Sequence, residues 1–109
     1  MTANFIEVNS LEKLESVIAG SHSAPVIFFK HSRTCGISAS LFNRVSSLDA
    51  DINLIIVQDA RSISNEIAER TGIRHESPQA IVLDSGLVKY HASHYDIDIE
   101  EIAASLSKN

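Results

Sequence analysis

Two strongly apolar runs restrict the fold of this chain more than any other feature of its sequence. Residues 25–30 and 52–58 are rich in β-branched and aromatic side chains. Such runs are typical of strands that are covered on both faces of a largely parallel sheet. Each run is followed by apolar residues at helical spacing. The repeated order of an apolar strand and then a helix predicts an α/β fold.

A shorter strand and helix precede the first apolar run. Residues 5–8 have the pattern of a strand, and Asn9 and Ser10 supply a helix cap before apolar residues at helical spacing. Gly20 marks the end of that first helix, and Gly72 marks the end of the third. The order of elements up to this point is βαβαβα.

The last third of the chain changes pattern. Residues 73–78 predict a loop, and residues 79–84 and 87–95 predict an antiparallel hairpin that is joined at Asp84, Ser85 and Gly86. A closing helix carries its apolar face over residues 99–106. We therefore expect one domain over residues 1–109, with the order βαβαβαββα and a central mixed sheet of about five strands covered by helices on both faces.

Charge and hydropathy argue against two classes of partner. The formal net charge is −5 and the basic side chains form no dense cluster, so neither nucleic acid nor an anionic membrane is an expected partner. No apolar run is long enough to cross a bilayer, and the first residues lack the pattern of a signal peptide. A single cysteine fits a reducing compartment, and we expect a cytoplasmic protein.

Cys35 is the strongest functional candidate. It follows the strand of residues 25–30 and enters a helix predicted to continue to Asp49, so it is expected in the first helical turn. Unpaired amides and the helix dipole favour negative charge there. No acidic residue lies between Glu15 and Asp49. This setting favours a nucleophilic thiolate, and the alternative is an inert cysteine in helix packing.

Two polar neighbours of the cysteine are candidate catalytic residues. Ser38 stands three residues after Cys35, where a dithiol oxidoreductase carries its second cysteine. Its hydroxyl could donate a hydrogen bond to the thiolate but cannot resolve a mixed disulfide, so an external thiol is required. The alternative for Ser38 is an ordinary hydroxyl on the helix surface. Thr34 is expected first as the N-cap of this helix.

Basic side chains near the cysteine are candidates for binding an anionic thiol ligand. Arg33 precedes the cysteine by two residues, and Arg74 and His75 lie in the predicted loop. A solvated loop is the alternative for the latter pair. The five histidines, at positions 22, 31, 75, 91 and 94, lack the spacing of a metal motif, so no metal site is expected.

The segment around the cysteine resembles the active site of monothiol bacilliredoxins, which belong to the thioredoxin superfamily. Residues 30–32 read Lys-His-Ser and residues 34–38 read Thr-Cys-Gly-Ile-Ser, against Lys-His-Ser and Thr-Cys-Pro-Ile-Ser in that family. A proline about forty residues later precedes a strand, as in the superfamily. The resemblance covers residues 5–106. It implies a thioredoxin-like fold.

The resemblance also implies a function. Cys35 would be the nucleophile of a thiol-disulfide oxidoreductase that takes bacillithiol from client proteins, with that thiol as co-substrate and no bound cofactor or metal. Ser77 and Pro78 would form a cis peptide bond that faces Cys35 and orients the incoming disulfide. Together with Gly36 and Arg33 they are the expected substrate-binding residues. We expect a monomer that can form a Cys35-linked dimer on oxidation.

One residue departs from the family pattern. Gly36 stands where that family has proline, and it brings the motif close to the Cys-Gly-Phe-Ser of monothiol glutaredoxins, which hold iron-sulfur clusters with glutathione. The chain lacks the Gly-Gly signature of glutaredoxins after Pro78, which favours a bacilliredoxin. A thiol or [2Fe-2S] cluster carrier is one alternative. A redox-silent interaction domain with a thioredoxin fold is the other.

Overall fold

A computed structural model describes residues 2–107. The strands are β1 (Asn4–Glu7), β2 (Val26–His31), β3 (Asp51–Ile56), β4 (Gln79–Asp84) and β5 (Leu87–Ser93). The helices are α1 (Leu11–Gly20), α2 (Gly36–Val45), α3 (Arg61–Thr71) and α4 (Ile99–Ser105). The predicted order βαβαβαββα is confirmed, with a short 3-10 turn, His94–Asp96, inserted before the last helix.

The strands form one mixed sheet in the order β1-β3-β2-β4-β5. β3 runs parallel to both β1 and β2, β4 runs antiparallel to β2, and β5 closes the hairpin antiparallel to β4. The two apolar runs of the sequence are thus the central strands β2 and β3, with neighbours on both sides. Helices cover both faces, as expected for such a thioredoxin-like architecture.

Each face of the sheet packs its own hydrophobic core, because successive side chains of a strand point to opposite faces. On β2, Ile27 and Phe29 pack in the core that includes Leu41 of α2. Phe28 lies in the other core, with Ile63 of α3. The side chain of every second β2 residue therefore points toward α3.

Local signals in the sequence position the helix ends and the hairpin turn. The Ser10 hydroxyl accepts a hydrogen bond from the Lys13 amide at 3.1 Å and caps α1. Gly72 ends α3 with φ 75°, a left-handed conformation that glycine adopts without strain. Ser85 and Gly86 have φ values of 55° and 78°, as a two-residue hairpin turn of type I′ requires.

Three element boundaries differ from the prediction by two residues or more. β3 ends at Ile56, two residues before the expected Gln58. α2 ends at Val45 rather than continuing to Asp49, because the hydroxyls of Ser46 and Ser47 donate to carbonyls of the last turn at 2.6 and 2.8 Å. β5 ends at Ser93, two residues before the expected end, where the chain enters the 3-10 turn. Within residues 2–107, no helix combines the length and apolar character that crossing a membrane requires.

Candidate active site

Three segments converge at one edge of the sheet. β2 and β3 run parallel, so both end there, and the pairing of His31 with Ile56 sets their last residues side by side. β4 runs the opposite way and begins at the same edge, where Lys30 pairs with Gln79. The cysteine loop (residues 32–35) and the proline loop (residues 72–78) therefore leave the sheet next to each other.

Cys35 is the N-cap residue of α2, one position before the expected first turn. Its backbone is extended, with φ −110° and ψ 122°, and its carbonyl accepts the first helical hydrogen bond from Ala39 at 3.1 Å. The residue is partly exposed. Among the described residues its side chain makes no capping hydrogen bond. Cys35 thus lies partly exposed at a helix start, and its side chain is not used to cap the helix.

Gln58 organises the cysteine loop, a role that the sequence analysis missed. Its Nε2 donates to the Ser32 hydroxyl at 2.9 Å and to the Thr34 hydroxyl at 3.3 Å, and its Oε1 accepts from the Arg33 amide at 3.2 Å. Thr34 is therefore held by Gln58 and is not the N-cap, which is Cys35. The sequence could have indicated this role through the position of Gln58, because Gln58 follows β3 at the edge of the sheet where β2 also ends.

Ser38 is fully buried and is directed to the strand end rather than to the sulfur. Its hydroxyl accepts a hydrogen bond from the Ser32 amide at 3.0 Å and lies 2.8 Å from Nδ1 of His31. Burial, and then the charge of Arg33, lower the pKa of His31, which favours the neutral imidazole. Nδ1 of a neutral imidazole accepts the Ser38 proton in one tautomer and donates to the Ser38 oxygen in the other. That the Ser38 hydroxyl contacts the thiolate, and that Ser38 has a catalytic role, stay predictions.

Arg33 is paired with a carboxylate that lies far from it in the sequence. Its guanidinium donates to both carboxylate oxygens of Asp59 at 2.6 and 2.8 Å, and both side chains are about half exposed. The hydrogen bond with Arg33 lowers the pKa of Asp59. No acidic residue is near Cys35 in the sequence, but the fold brings Asp59 against Arg33, two residues before the cysteine. Asp59 thus competes with an anionic ligand for the Arg33 guanidinium.

The proline loop has the peptide geometry that the sequence predicted. The Ser77-Pro78 bond is cis. The Pro78 carbonyl accepts a hydrogen bond from the His94 amide at 2.9 Å, and His94 itself has φ 56°, unusual for a residue other than glycine. That Ser77 and Pro78 face Cys35 and bind substrate stays a prediction, as does the same role for Gly36 at the first position of α2.

Arg74 is the exposed cation of the proline loop. Its side chain is 90% exposed and lies 4.0 Å from the Glu76 carboxylate, a loose contact in water. A hydrogen bond with Ser93, and then the nearby charges of His94, Arg74 and His75, lower the pKa of Glu76. The loop thus presents one carboxylate among several basic groups.

Lys30 is a second residue whose placement the sequence analysis missed. It is fully buried on the α3 side of the sheet, with Nζ 3.0 Å from the Ser64 carbonyl oxygen and 3.3 Å from Nδ1 of His75. Burial lowers its pKa to about 8. His75, for which a solvated loop was the alternative to an anion-binding role, is partly buried. The only sequence signal was a lysine at the end of an otherwise apolar strand.

Few side chains of this chain are candidates for binding a metal ion or an iron-sulfur cluster. Within residues 2–107, no three His, Cys, Asp or Glu side chains are grouped to hold a metal ion. Cys35 is the single cysteine of the sequence. An iron-sulfur cluster on Cys35 would need its remaining thiolate ligands from outside the chain.

Comparison with known proteins points in the same direction as the geometry. Residues 6–102 match the model of the family described as monothiol bacilliredoxin BrxC. A solved structure described as a proposed oxidoreductase with a thioredoxin fold is 33% identical, with a TM-score of 0.83 over 93% of this chain and 92% of that one.

Thioredoxins share the fold at lower identity. The short form of spinach chloroplast thioredoxin f is 20% identical, with a TM-score of 0.71 over 95% of each chain. A thioredoxin from Trypanosoma brucei brucei is 12% identical, with a TM-score of 0.74 over 94% of this chain and 88% of that one. At these identities the likeness establishes the thioredoxin fold alone.

Proposed function

Because this chain belongs to the monothiol bacilliredoxin family, we propose that it removes bacillithiol from S-thiolated client proteins through Cys35. The observation that carries the proposal is that Cys35 lies partly exposed at the start of α2, while a buried serine occupies the position of a resolving cysteine. A thiol redox role follows from the family. The identity of the thiol and the direction of transfer are the proposal.

In the first step, the Cys35 thiolate attacks the bacillithiol sulfur of the client's mixed disulfide. The bond between that sulfur and the client's cysteine breaks, and the client leaves as a thiolate that takes a proton from water. Cys35 then carries bacillithiol in a new disulfide, so two electrons have passed from Cys35 to the client's cysteine. The start of α2 supports this step, since helix amides favour the anionic nucleophile.

In the second step, an external thiol restores Cys35. Ser38 contains no sulfur and is buried against His31 and Ser32, so the chain cannot close an internal disulfide. A second bacillithiol attacks the sulfur bound to Cys35, releases the Cys35 thiolate and forms bacillithiol disulfide. The electrons come from the external thiol.

The proline loop is the expected site for the rest of the ligand. Bacillithiol bears a malate group, and Arg74 offers an exposed guanidinium beside the residues that precede Pro78. Arg33 is a weaker candidate, because Asp59 already occupies it. Cytoplasmic clients with modified cysteines and a low-molecular-weight thiol are the proposed partners, and the chain acts as a monomer.

A rate comparison between two thiol adducts tests this function. One client protein is prepared with bacillithiol or with glutathione on the same cysteine, and release of each thiol is followed with wild-type protein and with Cys35→Ser. We expect release that depends on Cys35 and is about tenfold faster for bacillithiol, equivalent to ~1.4 kcal/mol of transition-state preference. Equal rates would contradict the assigned thiol, and release by Cys35→Ser would contradict the assigned nucleophile.

A further inference from the structure

Lys30 is a buried cation that the exchange reaction does not use. Its side chain has no exposed surface, and within residues 2–107 it forms no ion pair with a carboxylate. Burying an ammonium group without a counter-ion is unfavourable. An apolar side chain at this position would avoid that cost. The contribution of Lys30 to the folded protein is therefore sought in the contacts of its ammonium group.

These contacts tie the proline loop to the sheet. The Lys30 Nζ lies 3.3 Å from Nδ1 of His75, three residues before Pro78. On the neighbouring strand, Gln79 pairs with Lys30 across the sheet, and its Nε2 donates to the Arg74 carbonyl at 3.0 Å. Two adjacent residues of the sheet thus hold two consecutive residues of the loop.

His75 can accept from Lys30 only when Nδ1 is unprotonated. The Ser64 hydroxyl lies 2.8 Å from the same nitrogen, so two groups converge on one lone pair. The charged groups that face the imidazole are Lys30 from β2, Arg61 from α3 and Glu76 from the loop itself. Burial, and then the charges of Lys30 and Arg61, lower the pKa of His75, and Glu76 opposes them. With a proton on Nδ1, the His75 imidazolium and the Lys30 ammonium group would repel each other.

We propose that Lys30 is a positioning residue that holds the proline loop in place for recognition of the mixed disulfide, and that it does so only while His75 is neutral. The recognition part rests on the proposed function, whereas the contact between Lys30 and the loop stands without it. Protonation of His75 removes the acceptor and adds repulsion, which releases residues 74–77 from the sheet. Affinity for the mixed disulfide then falls as the pH drops through the titration of His75, and the reactivity of Cys35 toward a small alkylating agent changes little.

Nuclear magnetic resonance tests the contact without any substrate. In the wild-type protein, the backbone amide shifts of Glu76 and Ser77 should follow the titration of the His75 ring. In Lys30→Met the midpoint of that titration should rise toward the ordinary histidine value of about 6.5. In His75→Asn, whose Oδ1 takes the place of Nδ1, the same amides should keep their neutral-pH shifts and lose their pH response.

A matched control is His91→Asn, which changes an exposed histidine of β5. The pH response of the loop amides should survive this substitution. An unchanged His75 titration in Lys30→Met would overturn the proposal. If Lys30→Met does not fold, the outcome is decided by His75→Asn, in which a loop that still responds to pH as in the wild-type protein would overturn it.

Kinetics test the recognition part. We expect Lys30→Met to raise KM for an S-thiolated client about fivefold at neutral pH, with kcat and the alkylation rate of Cys35 within about twofold of wild type. A fivefold fall in the alkylation rate of Cys35 would mean that the substitution disrupts the whole site, and it would overturn the positioning role. If the wild-type protein transfers no thiol at all, the proposed function fails, and the resonance data still decide whether Lys30 holds the loop.

Discussion

The imidazole of His31 and the hydroxyl of Ser38 lie 2.8 Å apart, and the Ser32 amide donates to the same hydroxyl at 3.0 Å. This arrangement joins the end of β2 to the first turns of α2 directly beneath the cysteine loop. Both of these contacts join Ser38 to the strand end rather than to the sulfur of Cys35. Ser38 therefore fixes the shape of the loop that carries Cys35.

Replacing Ser38 with alanine tests this structural role. The change leaves the buried Ser32 amide without its acceptor, and we expect a loss of about 1–3 kcal/mol in the free energy of unfolding. The alkylation rate of Cys35 at neutral pH should stay within about twofold of wild type. Urea unfolding and iodoacetamide kinetics measure the two quantities.

Ser40→Ala, on the exposed side of α2, is the matched control and should change neither. A tenfold slower alkylation of Ser38→Ala alone would show instead that the hydroxyl serves the thiolate.

Asp59 should limit the attraction of anionic disulfides to the site. Asp59→Asn frees the Arg33 guanidinium, so we expect reaction with a dianionic aromatic disulfide to accelerate about two- to threefold at low salt. The gain should shrink as salt is added, because the two charges are exposed to solvent. Stopped-flow absorbance measures the rate. Arg33→Ala combined with Asp59→Asn should abolish the gain, and its persistence would show that another cation is responsible.

Gly36→Pro should stabilise the protein. Gly36 is the first residue of α2, where the fixed φ of proline fits and a backbone donor is not needed. Among residues 2–107, no atom outside the chain neighbours and the backbone of the same helix lies within 4 Å of a Cβ built at this position. Cys35, with φ −110° and ψ 122°, already has the extended backbone that a following proline imposes. We expect a gain of about 0.4–1 kcal/mol, mainly from reduced freedom of the unfolded chain. Thermal unfolding measures it, with Gly36→Ala as comparison. A loss of stability would mean that the Gly36 amide is engaged in the folded protein.

Lys30→Met should raise global stability at neutral pH while it loosens the proline loop. Burial lowers the pKa of Lys30 to about 8, below its value in the unfolded chain, so protonation favours unfolding. We expect the variant to be more stable by about 1–3 kcal/mol near neutrality. Because the wild-type protein gains stability as the pH rises from about 8 to about 10.5, that advantage should shrink over the same range. Urea unfolding at several pH values tests this, with the exposed Lys13→Met as control. A constant advantage would contradict the buried charge.

Much of the fold could be predicted because it depends on local patterns. The apolar runs of β2 and β3 and the glycines that end α3 and turn the hairpin act through their own backbone preferences or their immediate neighbours. The position of Cys35 at a helix start followed from the same reasoning to within one residue. The early end of α2 was missed, because Ser46 and Ser47 bond back to the helix in a way that spacing does not reveal.

The surroundings of the cysteine could not be predicted, because they depend on contacts between distant segments. Arg33 meets Asp59 from the segment after β3, and Lys30 meets His75 across the sheet edge. Ser38 lies at the correct helical spacing from Cys35, but its hydroxyl bonds to His31. The His31 ring also packs against Phe42 of the same helix. Charge counted along the sequence overstated the positive potential at the site for the same reason.

Intact mass measurement of the protein after exposure to a bacillithiolated client shows whether Cys35 takes up the thiol. We expect the wild-type protein to gain the mass of one bacillithiol on Cys35, the client to lose the same mass, and Cys35→Ser to gain none. Addition of free bacillithiol should then return the wild-type protein to its original mass. A wild-type protein that gains no adduct from the client, or a Cys35→Ser variant that gains one, would show that Cys35 is not the acceptor of the thiol.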